Sequence, residues 1–244
     1  MTVFNAGLDG VTFQCQGSRL LGGFYRAPGT GLRPTALLLH GLPGVEKNLD
    51  IAYGLRDSGW NCLYFHYRGS WGSEGTYSLT GLTDDLQAAL RWVKHQPCVD
   101  GKRLVLIGHS AGGYLALMAT AMDSSFQAVV ALCPLISSSR APLARETFDE
   151  FAGMLNGISG EELQSQWDGL PPVEAKARRL RNRRVLIMTG GKDDIFPPRH
   201  FQPLMKAVPT IEWQEFPHGD HSLSLCRQEA VQHIRDWLVS VLGR

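Results

Sequence analysis

A serine within a glycine-rich corner is the feature of this chain that most directly indicates chemistry. Ser110 lies in Gly108-His-Ser-Ala-Gly-Gly113, between an apolar run at residues 103–107 and a helix-forming stretch at residues 114–119. A serine at such a strand-to-helix corner is held in a strained turn that exposes its hydroxyl. The glycines avoid the clashes that side chains would make with the neighbouring strand and helix. This segment therefore predicts a nucleophilic serine.

A histidine near the C-terminus is the candidate base for that serine. A serine hydroxyl is a weak nucleophile until a base accepts its proton, and an imidazole pKa near neutrality suits histidine to this role. His221 lies in a polar loop that follows a predicted strand and precedes the last predicted helix. His218 occupies the same loop and remains the alternative.

Two adjacent aspartates are candidates for the carboxylate that orients the histidine and stabilises its imidazolium form. Asp193 and Asp194 follow the apolar run at residues 184–188, so they lie at the carboxyl end of a predicted strand. In a parallel sheet such strand ends share one edge, which predicts that the loops of Ser110, the aspartates and His221 converge. The order serine, aspartate, histidine is the one that accompanies a nucleophile at a strand-to-helix corner.

Acyl transfer also needs donors for the oxyanion that develops on the carbonyl oxygen. The backbone N–H of Ala111, directly after the serine and at a helix N-terminus, is the first candidate. The second lies in the loop that follows the apolar run at residues 35–39, where Gly41 lets the backbone turn inward. Leu42 N–H is the candidate there, because Pro43 has no N–H to donate.

The elements that must position these residues alternate along the chain. Segments 11–16 and 20–27 predict a hairpin, and later short apolar runs alternate with stretches of helical periodicity, which favours a mainly parallel sheet covered on both faces. The predicted later strands are residues 35–39, 61–67, 103–107, 128–132, 184–188 and 211–216, and the predicted helices are 51–58, 80–95, the one after Ser110, and one around 231–241.

One segment interrupts this alternation, and we name residues 136–182 the insertion. It contains no predicted strand, and Ser159-Gly-Glu-Glu162 predicts a capping box at the start of a helix. We interpret the chain as a single domain, residues 1–244, whose insertion forms a small helical lid packed on the main sheet. The aromatic side chains of Phe148, Phe151 and Trp167 are candidate walls of an acyl pocket, because ligand clefts are mostly apolar.

Taken in order, these motifs resemble those of the α/β-hydrolase superfamily, in particular small serine esterases and the catalytic domain of the prolyl-oligopeptidase group. The resemblance implies an eight-stranded, mostly parallel sheet whose second strand is antiparallel, and it places the acid at Asp193 rather than Asp194. The matching motifs are His40-Gly41, Tyr67-Arg-Gly-Ser-Trp-Gly-Ser73, Gly108–Gly113, Gly190-Gly-Lys-Asp193-Asp-Ile-Phe-Pro197 and Gly219-Asp-His221; Ser70 and Trp71 make the second motif one residue longer than the family pattern.

Composition restricts the classes of partner. The 244 residues carry a net charge of +1, which gives no basic field to attract nucleic acid or an anionic membrane. No apolar run reaches the length of a membrane span, and the first ten residues do not resemble a secretory leader. The five scattered cysteines indicate reduced thiols, so we expect a cytoplasmic protein, with a homo-oligomer left open.

The function predicted from these residues is hydrolysis of a small-molecule carboxylic ester through an acyl-serine, a reaction that requires no cofactor and no metal. His218, Asp220 and His221 with Asp193 offer metal-ligand types, yet no ligand spacing fixes a coordination geometry. Two alternatives remain open. One is hydrolysis of peptide or other amide bonds, as in the prolyl-oligopeptidase group, and the other is a non-catalytic ligand-binding protein on the same fold.

Overall fold

An eight-stranded sheet forms the centre of the protein, for which the computed structural model describes residues 2–243. The strands run in the order β10–β9–β8–β7–β5–β6–β3–β2, and a separate two-stranded sheet, which the sequence did not predict, pairs β1 with β4. The strands are β1 (Val3–Phe4), β2 (Gly7–Cys15), β3 (Ser18–Arg26), β4 (Gly29–Thr30), β5 (Arg33–Leu39), β6 (Asn61–Phe65), β7 (Val99–His109), β8 (Phe126–Leu132), β9 (Arg184–Gly190) and β10 (Glu212–Phe216).

The six strands β6, β5, β7, β8, β9 and β10 are parallel to one another, whereas β3 is antiparallel to both β2 and β6. This arrangement confirms the predicted α/β-hydrolase fold with its mostly parallel sheet. The parallel pairing places the carboxyl ends of β5, β7, β9 and β10 along one edge of the sheet. The loops that follow those four strands carry the predicted functional residues, so the edge is where a site can form.

Helices cover both faces of the sheet. The helices are α1 (Leu49–Asp57), α2 (Leu82–Lys94), α3 (Ala111–Met122), α4 (Arg145–Ala152), α5 (Gly160–Asp168), α6 (Ala177–Leu180), α7 (Gln202–Ala207) and α8 (Arg227–Leu242). Buried apolar side chains of α1 and α8 pack against one face, and those of α2 and α3 pack against the other. Central strands are therefore enclosed on both sides, which explains their nearly continuous apolar sequence. No helix within the described residues is long and apolar enough to span a membrane.

The insertion between β8 and β9 contains α4, α5 and α6 together with short 3₁₀ turns. The capping box predicted at α5 is confirmed: the Ser159 hydroxyl accepts a hydrogen bond from Glu162 N–H, and the Glu162 carboxylate accepts one from Ser159 N–H. Buried Phe148, Leu163 and Trp167 join the same core as α2 and α3, so the insertion packs on the sheet body rather than forming a core of its own.

The middle of the insertion is also tied to the loop between β6 and α2. Asn156 N–H donates to the carbonyl of Gly69 over 2.7 Å, and Tyr77 N–H donates to the carbonyl of Asn156 over 2.8 Å. The Asn156 side-chain amide adds a 2.7 Å hydrogen bond to the carbonyl of Gly75. Three hydrogen bonds on one residue thus connect two segments that are far apart in sequence.

Candidate active site

Ser110 lies at the sharp corner between β7 and α3. Its backbone has φ 56° and ψ −120°, a conformation that side-chain-bearing residues rarely adopt. Hydrogen bonds hold this strained residue in place: Ser110 N–H donates to the carbonyl of Leu132 over 3.0 Å, and Leu135 N–H donates to the carbonyl of Ser110 over 3.0 Å. The end of β8 therefore fixes the corner that presents the Ser110 hydroxyl.

The glycines around this corner permit close backbone contacts. A Cβ at Gly112 would overlap the carbonyl oxygen of Leu39 at the end of β5, and a Cβ at Gly108 would overlap the carbonyl of Gly112. A Cβ at Gly41 would lie 2.9 Å from Cβ of Ser110. The loop after β5 thus packs directly on the serine, which requires the absence of a side chain at Gly41.

Asp193 and His221 are in direct contact. His221 Nδ1–H donates to Asp193 Oδ2 over 2.9 Å, and Asp193 is only 3% exposed. The other carboxylate oxygen, Oδ1, accepts hydrogen bonds from the backbone N–H groups of Ile195 (2.9 Å) and Phe196 (2.8 Å). Both oxygens are therefore engaged, so the carboxylate is held in one orientation beneath the imidazole ring.

The two alternative residues occupy different positions. Asp194 and His218 are exposed. Within residues 2–243, neither forms a hydrogen bond with Asp193 or His221. The structure thus brings together Asp193 and His221, and it brings Ser110 and His221 to the same cavity.

Neighbouring rings hold the His221 imidazole from two sides. The Phe196 ring lies edge-on to it with a centroid distance of 5.1 Å, and the His109 ring lies 4.9 Å away. His109 Nε2–H also donates a 2.8 Å hydrogen bond to the backbone carbonyl of His221. The residue that precedes the serine therefore contacts both the ring and the backbone of the histidine.

The two candidate oxyanion donors come from two segments: Leu42 follows β5, and Ala111 directly follows Ser110. Ala111 is the first residue of α3, and the first N–H groups of an α-helix have no intrahelical acceptor. The N–H of Leu42 likewise has no protein acceptor among residues 2–243, and Leu42 lines the cavity with Gly41. Both N–H groups are thus available to a carbonyl oxygen of a bound molecule.

Four histidines near the site are kept neutral by burial. Loss of water around the ring lowers the pKa of His40 to about 3 and the pKa values of His66, His109 and His200 to about 4. A neutral ring carries one donor and one acceptor nitrogen; Nε2 of His200 accepts a 2.8 Å hydrogen bond from Ile136 N–H. The rings of His40, His109 and His200 thus act as structural hydrogen-bonding groups near neutral pH.

Cys133, at the end of β8, is the third polar side chain in this cluster. One ligand atom each of Cys133, Asp193 and His221 lie within 4.8 Å of one another, which is a possible metal-binding group. Burial raises the pKa of the Cys133 thiol well above 9.0, and the nearby Asp193 carboxylate raises it further. Asp193 and His221 are hydrogen-bonded to each other, and the Cys133 thiol lies beside this pair.

A cavity of about 330 Å³ opens next to Ser110 and His221. Its volume is in the range of small-molecule sites, and its walls are mainly apolar. Glu46 is the one acidic residue among the described residues that line the cavity, and its side chain is exposed at the rim. The lining residues are Gly41, Leu42, Pro43, Gly44, Val45, Glu46, His109, Ser110, Leu143, Thr147, Phe151, Trp167, Ile195, Phe196, His221 and Ser222.

The three aromatic residues predicted for this pocket separate into two groups. Phe151 and Trp167 line the cavity. Phe148 does not: it is 1% exposed and lies behind the wall, with its ring edge-on to Trp167 at a centroid distance of 5.9 Å. The structure therefore corrects the prediction for Phe148, whose ring is packed into the core because α4 turns its Thr147 and Phe151 side toward the cavity.

Several wall residues were not anticipated from the sequence. Leu143 precedes α4 and Thr147 lies within it. Ile195 and Phe196 lie two and three residues after Asp193. For Ile195 and Phe196 the signal was present: two apolar residues in a loop otherwise rich in glycine and charge, next to a candidate catalytic acid. Leu143 and Thr147 carry no such signal, because their position depends on how α4 packs.

A serine at a strained strand-to-helix corner, an acid–histidine pair beside it and an eight-stranded, mostly parallel sheet together define a hydrolase of the α/β-hydrolase class. A model of the prolyl oligopeptidase family matches residues 50–244. The chain therefore belongs to the prolyl oligopeptidase family.

The chain is also similar to individual proteins and solved structures. The chain is 28% identical over 208 residues to the uncharacterized protein Rv2307c of Mycobacterium tuberculosis, covering 85% of this chain and 69% of that protein. The alpha/beta hydrolase GrgF from Penicillium superposes with a TM-score of 0.80 at 18% identity, over 98% of this chain and all of GrgF (100%). Est1E from Butyrivibrio proteoclasticus, solved with ferulic acid bound, gives a TM-score of 0.79 at 18% identity, over 96% and 100% of the two chains. These structural similarities establish the shared fold.

Proposed function

We propose that this hydrolase cleaves carboxylic esters through an acyl-serine intermediate, with Ser110, Asp193 and His221 as catalytic residues. The observation that carries the proposal is the 2.9 Å hydrogen bond from His221 Nδ1–H to Asp193, made beside a cavity that Ser110 and His221 both line. In the neutral ring, a proton on Nδ1 leaves Nε2 as an acceptor for the serine hydroxyl proton.

The acylation step follows from these positions. Ser110 Oγ attacks the ester carbonyl carbon as its proton passes to Nε2 of His221, and the carbonyl electron pair moves onto oxygen. The backbone N–H groups of Leu42 and Ala111 stabilise this oxyanion, each contributing on the order of 3 kcal/mol. When the intermediate collapses, the bond to the alcohol oxygen breaks and the alcohol leaves with the proton from His221.

Deacylation repeats the sequence with water. His221 takes a proton from the water molecule as its oxygen attacks the acyl-serine carbon, and collapse of the second oxyanion releases the carboxylic acid and restores the Ser110 hydroxyl. Asp193 remains ionised throughout and stabilises the imidazolium form of His221.

The cavity supports an uncharged, largely apolar acyl group as the preferred substrate. Phe151, Trp167 and Leu143 provide its apolar walls, and the one acid at its rim is exposed to water. Since Est1E was solved with ferulic acid bound, aryl acids are a natural class to test beside short and medium aliphatic acids. Cleavage of an amide bond is the second candidate, because the family model that matches the chain is named for an oligopeptidase.

A fluorophosphonate probe tests the nucleophile. The wild-type chain is expected to gain one adduct by intact-mass measurement, whereas Ser110→Ala gains none and Asp193→Asn and His221→Gln react at least about a hundredfold more slowly. The matched controls are Asp194→Asn and His218→Gln, which change the exposed neighbours of the acid and the base and are expected to react as the wild type does. An unlabelled wild-type chain would favour the non-catalytic, ligand-binding alternative.

A substrate panel tests the bond. We expect p-nitrophenyl esters and methyl ferulate to be hydrolysed faster than aminoacyl p-nitroanilides, as judged by kcat/KM. Faster cleavage of the anilides would replace the ester assignment with a peptidase assignment while leaving the catalytic residues in place.

A further inference from the structure

Trp71 belongs to the loop between β6 and α2, at the point where this chain is one residue longer than the family pattern. Its backbone φ is 49°, which is unusual for a bulky side chain, and the residue is 40% exposed. A large aromatic residue in a strained and partly exposed position suggests a role other than core packing. The contacts of the indole show which role the structure supports.

The indole of Trp71 contacts the loop that carries Leu42. Trp71 Nε1–H donates a 2.8 Å hydrogen bond to the carbonyl of Pro43, the residue next to Leu42. Lys47 Nζ lies 5.7 Å from the centre of the same ring, within the range of a cation–π interaction. Gly44 passes so close to the indole that an added Cβ would lie 2.6 Å from Trp71 Nε1. One side chain thus contacts this loop at three positions.

The loop of Trp71 is itself fixed at its base. Ser70 forms an isolated antiparallel bridge with Leu155 of the insertion, and the Ser70 hydroxyl donates to the carbonyl of Tyr67 over 2.9 Å. Asn156 N–H donates to the carbonyl of Gly69. The indole is therefore attached to a segment that is itself hydrogen-bonded on both sides, which makes it a firm support for the Pro43 carbonyl.

We propose that Trp71 is a positioning residue that holds the backbone N–H of Leu42 in the direction of the substrate oxyanion. This inference rests on the proposed function, in which Leu42 supplies one of the two oxyanion donors. An oxyanion donor is effective only if it is oriented before the reaction, because reorientation during the reaction would cost free energy. Trp71 holds the Pro43–Gly44 peptide, which the Leu42–Pro43 peptide connects to the Gly41–Leu42 peptide that carries the donor, and Trp71 is not among the residues that line the cavity beside Ser110.

The variant Trp71→Phe tests this role because it removes the N–H donor and keeps an aromatic ring for Lys47. Complete loss of an oxyanion donor lowers kcat by about 10²- to 10³-fold, and for a misoriented donor we expect a decrease in kcat of about tenfold or more, with KM nearly unchanged. The matched control is Trp213→Phe. Trp213 is 45% exposed, and its Nε1–H also donates a 2.8 Å hydrogen bond, to Thr189 Oγ1 on the neighbouring strand β9.

A pair of ketone inhibitors distinguishes a positioning role from a general structural one. A trifluoromethyl ketone forms a hemiketal with Ser110 and places an oxyanion at the donors, whereas the matching methyl ketone occupies the cavity largely without the adduct. We expect Trp71→Phe to weaken binding of the trifluoromethyl ketone about tenfold and to leave binding of the methyl ketone unchanged. Replacement of Trp71 by benzothienylalanine, which has sulfur in place of the N–H, should give the same result with the ring shape retained.

The outcomes separate the two proposals. Unchanged kcat and unchanged inhibitor selectivity in both Trp71 variants would overturn the role of Trp71 and leave the esterase proposal intact. The same would follow if Trp213→Phe lost as much activity as Trp71→Phe. If the wild-type chain bound both ketones equally, Ser110 would form no stabilised adduct, and the proposed function would fail together with the inference that rests on it.

Discussion

His109 and His221 are joined by a hydrogen bond of 2.8 Å that runs from Nε2–H of the first to the backbone carbonyl of the second. Because a carbonyl can only accept, Nε2 of His109 must carry the proton. Burial lowers the pKa of His109 to about 4, which keeps the ring neutral, with its other nitrogen unprotonated. The residue directly before the proposed nucleophile therefore positions the loop that carries the proposed base.

Replacing His109 by Phe removes this donor while retaining a ring beside His221. The partly buried carbonyl of His221 would lose this hydrogen bond, which costs about 1–3 kcal/mol, and the His221 loop would be held less firmly. We expect kcat for a p-nitrophenyl ester to fall about tenfold to a hundredfold. His66→Phe is the control, since it exchanges a buried histidine that does not contact His221. Equal losses in the two variants would indicate general destabilisation instead.

The close packing of Gly112 at the corner between β7 and α3 predicts that a substitution there changes both stability and reactivity. Gly112→Ala would place a Cβ against the Leu39 carbonyl oxygen, where β5 and α3 approach most closely. Neither backbone can move without displacing the corner that holds Ser110, so we expect loss of fluorophosphonate labelling and a lower melting temperature. At Gly101 an added Cβ meets nothing within 4 Å, so Gly101→Ala should label and melt as the wild type does. Normal labelling of Gly112→Ala would contradict this prediction.

The two phenylalanines of α4 should respond to truncation in opposite ways. Phe151→Ala enlarges the cavity from a half-buried wall position, so kcat/KM should rise for long acyl chains relative to acetate, with a modest change in stability. Phe148→Ala removes a fully buried ring and should lower the free energy of unfolding by about 3–5 kcal/mol. Ester chain-length profiles and urea denaturation measure the two effects. A shift in chain-length preference in Phe148→Ala alone would reverse the assignment of the two rings.

Buried histidines make stability depend on pH in a defined direction. The folded-state pKa values of His40, His66, His109 and His200 lie near 3 to 4, below the usual value of 6.5. Between pH 6.5 and 4 the unfolded chain binds protons that the folded chain does not, so the free energy of unfolding falls as the pH falls. Each histidine contributes up to about 1.4 kcal/mol per pH unit.

Urea denaturation between pH 7 and pH 4.5 measures this slope. His66→Gln should reduce it by up to about 1.4 kcal/mol per pH unit. His218→Gln, at an exposed position, should leave the slope unchanged. A wild-type stability that stays constant over this range would show that these rings are protonated without unfolding.

The sequence predicts the elements of the fold and site that depend on local periodicity and on strand order. The hairpin of β2 and β3, the capping box of α5 and the mostly parallel sheet each have a local signal. The contact between Asp193 and His221 follows from the adjacency of β9 and β10, because the acid follows one strand and the histidine follows the other. Exposed Asp194 and His218 could not be set aside by spacing alone, since neighbouring loop residues share the same strand end.

Contacts between loops and the orientation of short helices could not be predicted in the same way. Phe148 and Phe151 are three residues apart and share a helix face to first approximation, so their spacing does not show which ring packs against Trp167 and which lines the cavity. The hydrogen bond between Trp71 and Pro43 joins two irregular loops. Such contacts have no periodic signal, because their geometry is set by the surrounding tertiary structure.

The hydrogen bonds at Asn156 constrain how molecules reach the cavity beside Ser110. An outward rotation of the insertion would break all three hydrogen bonds of Asn156. It would also expose the apolar rings of Phe148 and Trp167 to solvent. Val45 and Ile195 both line the cavity and are exposed, so the cavity reaches solvent beside them without any of these hydrogen bonds being broken. Entry of a small molecule into the cavity therefore does not require the insertion to move.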